Sequence, residues 1–542
     1  MVQTNAKYIS YNQTGYFSKI VTDYISENNL LKDFYKHPVS VQGIKNAVEV
    51  RKKNTTNRKL LVTQLQSQYA SQPISDKVKQ NINLLLDENT FTVCTAHQPN
   101  IFTGHLYFIY KIIHAIKLAE TLNVEIPGKH FIPVFYIGSE DADIEELGEV
   151  FINGEKYKWE TKQTGAVGRM LVDDELINIL KKIKGQLTVE PFGKEIMEMM
   201  QQCYVKGSTL QHATFNIVNK LFAGYGLIVL LPDNKALKNE MLSVFNDDIF
   251  LNTPSKIVNA TSAQLEKYYK VQAHPREINL FYLKDNIRSR IVQQKENYII
   301  QDTDIRFTTE ELQNELLQYP ERFSPNVILR ALYQETILPN IAFVGGGGEI
   351  AYWLQMKDMF KQYNVPFPVL VVRNSFLVIN EKMNLLMQKL SLTSDNIFKP
   401  DDEIIKDIIT KNTLHQLSLE KEKQQFIINY ESLKTVVKKI DTTLEKHVEA
   451  LQAKLLKTLD KLEIKLLRAE KRKFELQQKQ IKKIKSNLFP HNSLQERVEN
   501  IMPFYAKYGE AFIKTIYDNS LSLEQKFCII TEGDLHEGTK KN

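Results

Sequence analysis

Three short stretches of this chain hold most of the side chains able to do chemistry. In CTAHQPNIFTGH, residues 94–105, an apolar run gives way to His97, Gln98, Thr103, Gly104 and His105, and a long amphipathic segment follows. A strand, a polar turn and a helix in that order offer an anion the free N–H groups of a helix N-terminus. Gly104 lets backbone approach a ligand, Thr103 is placed to cap the helix, and His97 and His105 supply donors or positive charge to a transferring phosphate. The plainer alternative is an ordinary cap with surface histidines. In GSEDAD, Glu140, Asp141 and Asp143 crowd the end of an apolar run, where their charges repel unless a cation, an ammonium or a proton answers them. They suit an amine substrate, Mg²⁺ or general-base work, although capping of the next helix accounts for one or two of them. In VGGGGEIAYW, Gly345, Gly346, Gly347 and Gly348 leave backbone bare for a ribose or phosphate, and Glu349 can take a sugar hydroxyl. The G-x-G-x-x-G spacing and its distant acid are missing, which disfavours a dinucleotide site. Arg373 and Ser375 in VVRNSF are candidates for phosphate oxygens. Arg276, Arg288 and Arg290 in HPREINLFYLKDNIRSRIV are candidates for a substrate carboxylate. His114 and Trp353 read as packed side chains.

The elements that must position these residues follow from periodicity. FTVCTA, a helix with Leu106, Ile109, Ile113, Ile116 and Leu122 on one face, and HFIPVFYIG make a parallel βαβ unit. Similar alternation returns around GLIVLL, IAFV and PVLVV, so the fold class is α/β, a Rossmann-like doubly wound parallel sheet whose ligands sit beyond the strands' carboxyl ends. Segments near 148–190 and 255–305 carry short alternating runs expected to form inserted antiparallel hairpins. Residues 1–90 read as a helical N-terminal region, with RKKNTTNRK, residues 51–59, as a solvated basic loop or helix end. The core spans 91–380, and 381–489 is a coiled coil. Between Pro400 and Pro490 there is no proline or glycine, and apolar residues recur in steps of three and four from Leu433 to Leu466. Residues 490–542 form a helix pair and a closing strand, KFCIIT, that dock on the core.

Length and composition bound the rest. At 542 residues and 43% hydrophobic content the chain has material for several cores. No apolar run reaches the roughly 20 residues of a membrane span, and no signal-peptide pattern opens the chain, so a cytoplasmic protein without membrane contact is expected. Cys94, Cys203 and Cys528 are too scattered for a disulfide framework or a cysteine-held metal. The net charge of +6 is too small to argue for nucleic acid. The basic run from Lys454 to Lys485 reads more simply as the solvated face of a coiled coil than as an RNA surface.

The motifs QPNIFTGHLYFIYK, PVFYIGSEDAD, GYGLIVLLPD, REINLFYL, LPNIAFVGGGGEIAYWLQMK and QERVENIMPFYAKYG, in this order along most of the chain, resemble the BshC family of bacillithiol biosynthesis. The resemblance implies a Rossmann-like core related to class I aminoacyl-tRNA synthetases, two connecting-peptide insertions, and a coiled coil that makes a homodimer. It implies a ligase adding L-cysteine to glucosaminyl-malate. Thr103-Gly104-His105 is similar in place to the synthetases' histidine-rich nucleotide motif, and Arg373-Asn374-Ser375 to their lysine-serine loop. No complete H-x-G-H or K-M-S-K-S is present, and Ala142 stands where family members often carry histidine. Because joining a carboxylate to an amine in water needs activation, ATP is expected to form a cysteinyl adenylate, with Mg²⁺ on chemical grounds. His97, Glu140, Asp141 and Asp143 are then the catalytic candidates. Gln98, Thr103, Gly104, His105, Gly345–Gly348, Glu349, Arg373 and Ser375 are the nucleotide candidates. Arg276, Arg288 and Arg290 are left for substrate. A synthetase-like RNA-binding protein and a non-catalytic dimeric scaffold are the competing readings.

Overall fold

The computed structural model describes residues 6–70, 72–412 and 417–536. Its centre is a five-stranded sheet built from β1 (Thr90–His97), β2 (His130–Ile137), β3 (Ile228–Leu230), β4 (Asn340–Gly345) and β5 (Val369–Val372), in the order β5-β4-β1-β2-β3. Every neighbouring pair is parallel. Such strands are covered on both faces and so read as near-continuous apolar runs, as TFTVCTAH and HFIPVFYI do. The helix α1 (Leu106–Glu125) makes the crossover from β1 to β2 that a parallel pair requires. Its apolar residues form more than one stripe, because α1 is covered on more than the sheet side: Tyr110 meets the Phe376 ring at 4.9 Å.

The N-terminal helices belong to the same compact unit as the sheet, together with the segment that begins at Ser493. Ile44, Ala47 and Val48 share one apolar cluster with Phe91, Val93, Leu118, Val344 and Val369. Arg51 corrects the expectation of a solvated stretch at 51–59. It is buried and paired with Glu335 at 2.9 Å, and its Nε donates to the Asn340 carbonyl, so one guanidinium fixes the N-terminal region to the start of β4.

The expected insertions are antiparallel only in part, since the segment near 148–190 also holds the helix Asp174–Leu187. A hairpin pairs Glu149–Ile152 with Glu155–Lys158. A second sheet runs Arg306–Thr308, Asn297–Ile300, Ile287–Gln294, Leu280–Lys284, Phe323–Pro325, so it extends past 305, and it is preceded by the helix Thr253–Leu265. A small third sheet sets Phe527–Thr531 between Lys7–Ile9 and Ser375–Ile379, which places KFCIIT as the closing strand.

The other compact unit, residues 379–492, is helical. Glu420–Lys438 and Leu444–Lys473 form an antiparallel pair, since Lys423 meets Asp460 and Glu463 while Lys438 meets Glu445. The sequence pattern offers 401–430 or a helix of a second subunit as antiparallel partner for the long helix; the partner is Glu420–Lys438 of this same chain, and residues 413–416 lie outside the described residues. Ile404, Ile408 and Ile481 seal Asp401–Asn412 against Glu475–Leu488. No helix among the described residues is long and apolar enough to cross a membrane.

His114 is packed inside α1, as the sequence indicates, and its role is specific. Its Nε2 donates to the Ser522 carbonyl at 2.7 Å, and its Nδ1 accepts from the Asn374 amide at 3.0 Å. The bond from Asn374 needs an unprotonated Nδ1, hence the neutral ring, and burial pushes its pKa down to about 4. A folded pKa below the unfolded value leaves stability intact above pH ~6.5 and removes it as pH falls toward 4, by about 3 kcal/mol for this group. We expect urea midpoints at pH 7.5 and 4.5 to differ less in His114→Gln than in the parent, even though the variant starts lower at pH 7.5.

Candidate active site

A cavity of about 330 Å³ opens where all five strands of the parallel sheet end. The end of β1 brings Ala96, His97 and Gln98; the turn after β2 brings Gly138 to Asp141; Pro232 follows β3; Gly346 to Glu349 follow β4; Arg373 follows β5. The wall is completed by Tyr107 of α1, Arg330 of α2 (Val327–Ile337), Tyr352 of α3 (Gly347–Trp353), Arg288 of the antiparallel sheet and Arg497 of the C-terminal segment. This is the position at which open α/β sheets hold their ligands.

Several charges here are already answered by the protein. Lys111, buried in α1, donates to Glu349 Oε2 at 2.5 Å and to the Ala96 carbonyl at 2.6 Å. Arg373 is buried and bound to Glu496 at 2.7 Å. Its Nη1 also donates to Ser375 Oγ at 2.9 Å. Lys238 pairs with Glu140 and lies 4.0 Å from Asp233, whose carboxylate takes both Nε and Nη2 of Arg169 at 2.7 Å. Burial pushes the Glu140 carboxyl up in spite of Lys238, and Asp233 is held down by Arg169 and Lys238 against the effect of its own burial.

Other charges on the cavity wall have no such answer. Arg330 donates to the Tyr352 hydroxyl at 3.0 Å, Arg288 donates to Ser324 Oγ at 3.0 Å and covers the Phe281 ring at 4.0 Å, and Arg497 lines the cavity beside them. Among the described residues none of the three has a carboxylate within 4.0 Å. Asp141 accepts from Gln98 Nε2 at 3.1 Å without an ion pair. Glu146 also faces the cavity, its carboxyl pushed up by burial and by the nearby acids Asp143, Asp141 and Glu149. A cleft with uncommitted guanidinium groups and uncommitted carboxylates suits ligands that carry both anions and amines.

Residues 4–374 match the family described as "Bacillithiol biosynthesis BshC, N-terminal Rossmann-like domain", and residues 376–532 match "Bacillithiol biosynthesis BshC, C-terminal coiled-coil domain". The chain belongs to the BshC family. Relatives named "Putative cysteine ligase BshC" include those of Flavobacterium psychrophilum, 39% identical over 96% of this chain and 98% of its own, and Flavobacterium johnsoniae, 37% identical over 96% and 99%. That of Christiangramia forsetii is 36% identical over 97% and 99%. The shared architecture is therefore a Rossmann-like domain with a C-terminal coiled coil.

The structure brings His97, Gln98, Glu140, Asp141, Gly346, Gly347, Gly348, Glu349, Arg288 and Arg373 to one cavity and leaves the other candidates off it. His97 is there as a neutral ring. Burial, then Lys111 and His105, push its pKa well below the usual value, so it offers a hydrogen bond to a ligand rather than a charge. Thr103, Gly104 and His105 do not form an anion site. The Leu106 amide at the start of α1 is taken by the Glu499 carbonyl at 2.7 Å. His105, not Thr103, holds the N-cap position; its Nδ1 donates to the Val498 carbonyl, and burial lowers its pKa. Gly104 has φ +61°, and a Cβ there would come within 2.7 Å of Asn100 Cβ, so packing and turn geometry require glycine without any ligand. Asp143 is a helix cap, accepting from the Glu146 amide at 3.1 Å. Gly345 ends β4, and its carbonyl accepts from the Arg373 amide. Ser375 is buried behind Arg373, with its hydroxyl on Glu496 at 3.1 Å. Arg276 lies off the cavity beside Asn279, and Arg290, two residues along the strand from Arg288, is exposed away from it.

Lys111, Lys238, Arg330, Glu496 and Arg497 were not found by motif. Lys111 left a signal as a lone lysine among the apolar residues of LYFIYKIIHAIKLAE, and Glu496 and Arg497 lie in the motif QERVENIMPFYAKYG, which gave them no role. We expect Lys238→Met to cost about 3–5 kcal/mol in urea unfolding, because it strands buried carboxylates. The double variant Lys238→Met/Glu140→Gln should recover part of that loss.

Proposed function

We propose that this chain is a ligase that joins the carboxyl group of L-cysteine to the amino group of glucosaminyl-malate, forming bacillithiol through an ATP-derived cysteinyl adenylate, and that it works as a cytoplasmic homodimer. The observation that carries this reading is the set of uncommitted groups on one cavity: Arg288, Arg330 and Arg497 together with Asp141 and Glu146. Each substrate in the proposal brings anions, from phosphates to carboxylates, and two bring an amine.

The residues present fit a nucleotide. A Cβ on Gly348 would meet nothing within 4 Å, and Gly346 and Gly347 also line the cavity, so bare backbone faces the space. Mg²⁺ would arrive on the triphosphate, as it commonly does with one or two carboxylates completing its shell, and Asp141 and Glu146 are the cavity carboxylates without an ion pair among the described residues. In the first step a cysteine carboxylate oxygen bonds to the α-phosphorus as the α–β phosphoanhydride bond breaks and pyrophosphate leaves. Arg330 and Arg288 stabilise the charge that develops. In the second, the amine nitrogen of the sugar bonds to the acyl carbon, the acyl–phosphate bond breaks, AMP leaves, and Asp141 takes the ammonium proton. His97 Nε2, buried and without a partner among the described residues, is placed to hydrogen-bond a substrate oxygen.

The dimer contact is proposed on the helical unit. Leu444, Leu451 and Leu462 stay 41–45% exposed on Leu444–Lys473, so its antiparallel neighbour leaves an apolar strip uncovered.

Purified protein with cysteine and Mg-ATP should exchange labelled pyrophosphate into ATP in a cysteine-dependent way; no exchange would reject the adenylate. Arg330→Ala should lower kcat/KM for amide formation by about 100-fold, the scale for losing one charge-stabilising donor. Leu451→Lys/Leu462→Lys should sediment as a monomer, whereas a dimer in that variant would move the contact elsewhere.

A further inference from the structure

The Lys111–Glu349 pair has a geometry that the proposed chemistry does not use. Lys111 is 1% exposed, on a helix whose neighbouring side chains are apolar. Its ammonium joins two ends of the sheet: it donates to the Ala96 carbonyl, near the end of β1, and to Glu349 Oε2, on the turn after β4. The same Glu349 oxygen accepts from the Gly346 amide at 2.8 Å, closing the glycine turn. Glu349 is not deeply buried, with 23% of its side chain exposed, and it lines the cavity. On the same cavity stands Arg330, uncommitted to any carboxylate within 4.0 Å among the described residues, and Glu349 is among the groups that favour its charge. Lys111 holds that carboxylate by a direct, buried contact, while Arg330 shares the cavity without one.

We infer that Lys111 is a positioning residue that keeps Glu349 on the Gly346 amide and so leaves Arg330 free to meet an anionic substrate group. Without the ammonium, Glu349 loses its buried partner. Arg330, on the same cavity and with Glu349 among the groups that favour its charge, is then a cation that can draw the carboxylate off the Gly346 amide. The cavity then loses an anion-binding charge and gains a carboxylate on the same wall. The anion is a phosphate of ATP if the ligase reading holds, and the inference rests on that reading only for the identity of the anion.

The test uses the full-length protein as Lys111→Met and as Lys111→Met/Glu349→Gln. Hydrogen exchange at the Gly346 amide, followed without substrate, should speed up by about ten-fold or more in the single variant and return toward the parent in the double, where the introduced glutamine again caps the amide without a charge to trade. In the ligase assay the single variant should raise KM for ATP by about ten-fold while KM for cysteine stays within about two-fold, and the double variant should recover most of the loss. Unchanged exchange at Gly346 in the single variant overturns the inference whatever the activity. A double variant no better than the single overturns it too, since it would mean that Lys111 acts only by holding the core together. Faster exchange with an unchanged KM for ATP supports the positioning role and instead counts against placing the nucleotide at the glycine turn.

Discussion

The structure depends on how buried charge is answered. A cation taken out of water is tolerated only beside an anion with good geometry, and the unit that holds the sheet follows this rule at its most buried positions. Arg51 finds Glu335, Arg373 finds Glu496, Lys111 finds Glu349, and Lys238 finds Glu140. Each pair joins segments far apart in sequence, so the pairs act as ties between layers as well as neutralised charges. Against this background three arginines without a carboxylate within 4.0 Å among the described residues stand out. Arg288, Arg330 and Arg497 all face the same cavity, which is where a ligand rather than the protein can supply the anion.

The C-terminal segment is part of the site rather than an appendage to it. Within a few residues, Gln495 donates to the Val378 carbonyl, Glu496 holds Arg373 and the Phe376 amide, Glu499 offers its carbonyl to the start of α1, and Asn500 donates to the carbonyls of Phe102 and Gly104. Phe102 and Thr103 both have positive φ, a conformation that needs outside support in residues with side chains. Asn500 gives that support by binding the carbonyls on either side of Thr103. The site is therefore assembled by elements from both ends of the unit's chain, with Tyr11 donating to the Arg373 carbonyl from the N-terminal side.

Much of the fold was legible because parallel strands and amphipathic helices write their burial directly into composition. β1 and β2 are apolar runs, the insertions alternate, and the helical unit lacks glycine and proline over almost ninety residues. The strand ends were legible as well, since ligand sites in such sheets follow topology, and that reasoning reached His97, Asp141 and the glycine turn. It erred at Thr103-Gly104-His105, where a glycine required by contact with Asn100 looked like one required by a phosphate. Nothing local distinguishes the two, because the deciding atoms, Glu499 O and Asn500 Nδ2, lie almost four hundred residues away. Arg330 was missed for the opposite reason: it sits alone in an ordinary stretch, and only the folded chain shows that it meets Tyr352 but no carboxylate within 4.0 Å among the described residues. RKKNTTNRK failed similarly, since a charge run reads as solvated until Glu335 comes to meet Arg51.

The choice of cations also shapes how the site would respond to its surroundings. His97, His105 and His114 are all pushed toward the neutral form by burial, so imidazoles contribute hydrogen bonds and no net charge near neutral pH. The positive charge facing the cavity comes from guanidinium groups, which stay protonated throughout the physiological range. Substrate anions thus meet a field that does not vary with modest changes of pH. Any variation must come from the acidic side, from Glu140 and Glu146, whose carboxyls burial has already moved up, or from the substrate amine itself. The division would serve the proposed reaction, in which phosphate and carboxylate are held whatever the pH, whereas the amine has to give up a proton before it can attack. A cleft built from fixed cations and titratable carboxylates separates binding of the anions from control of the nucleophile.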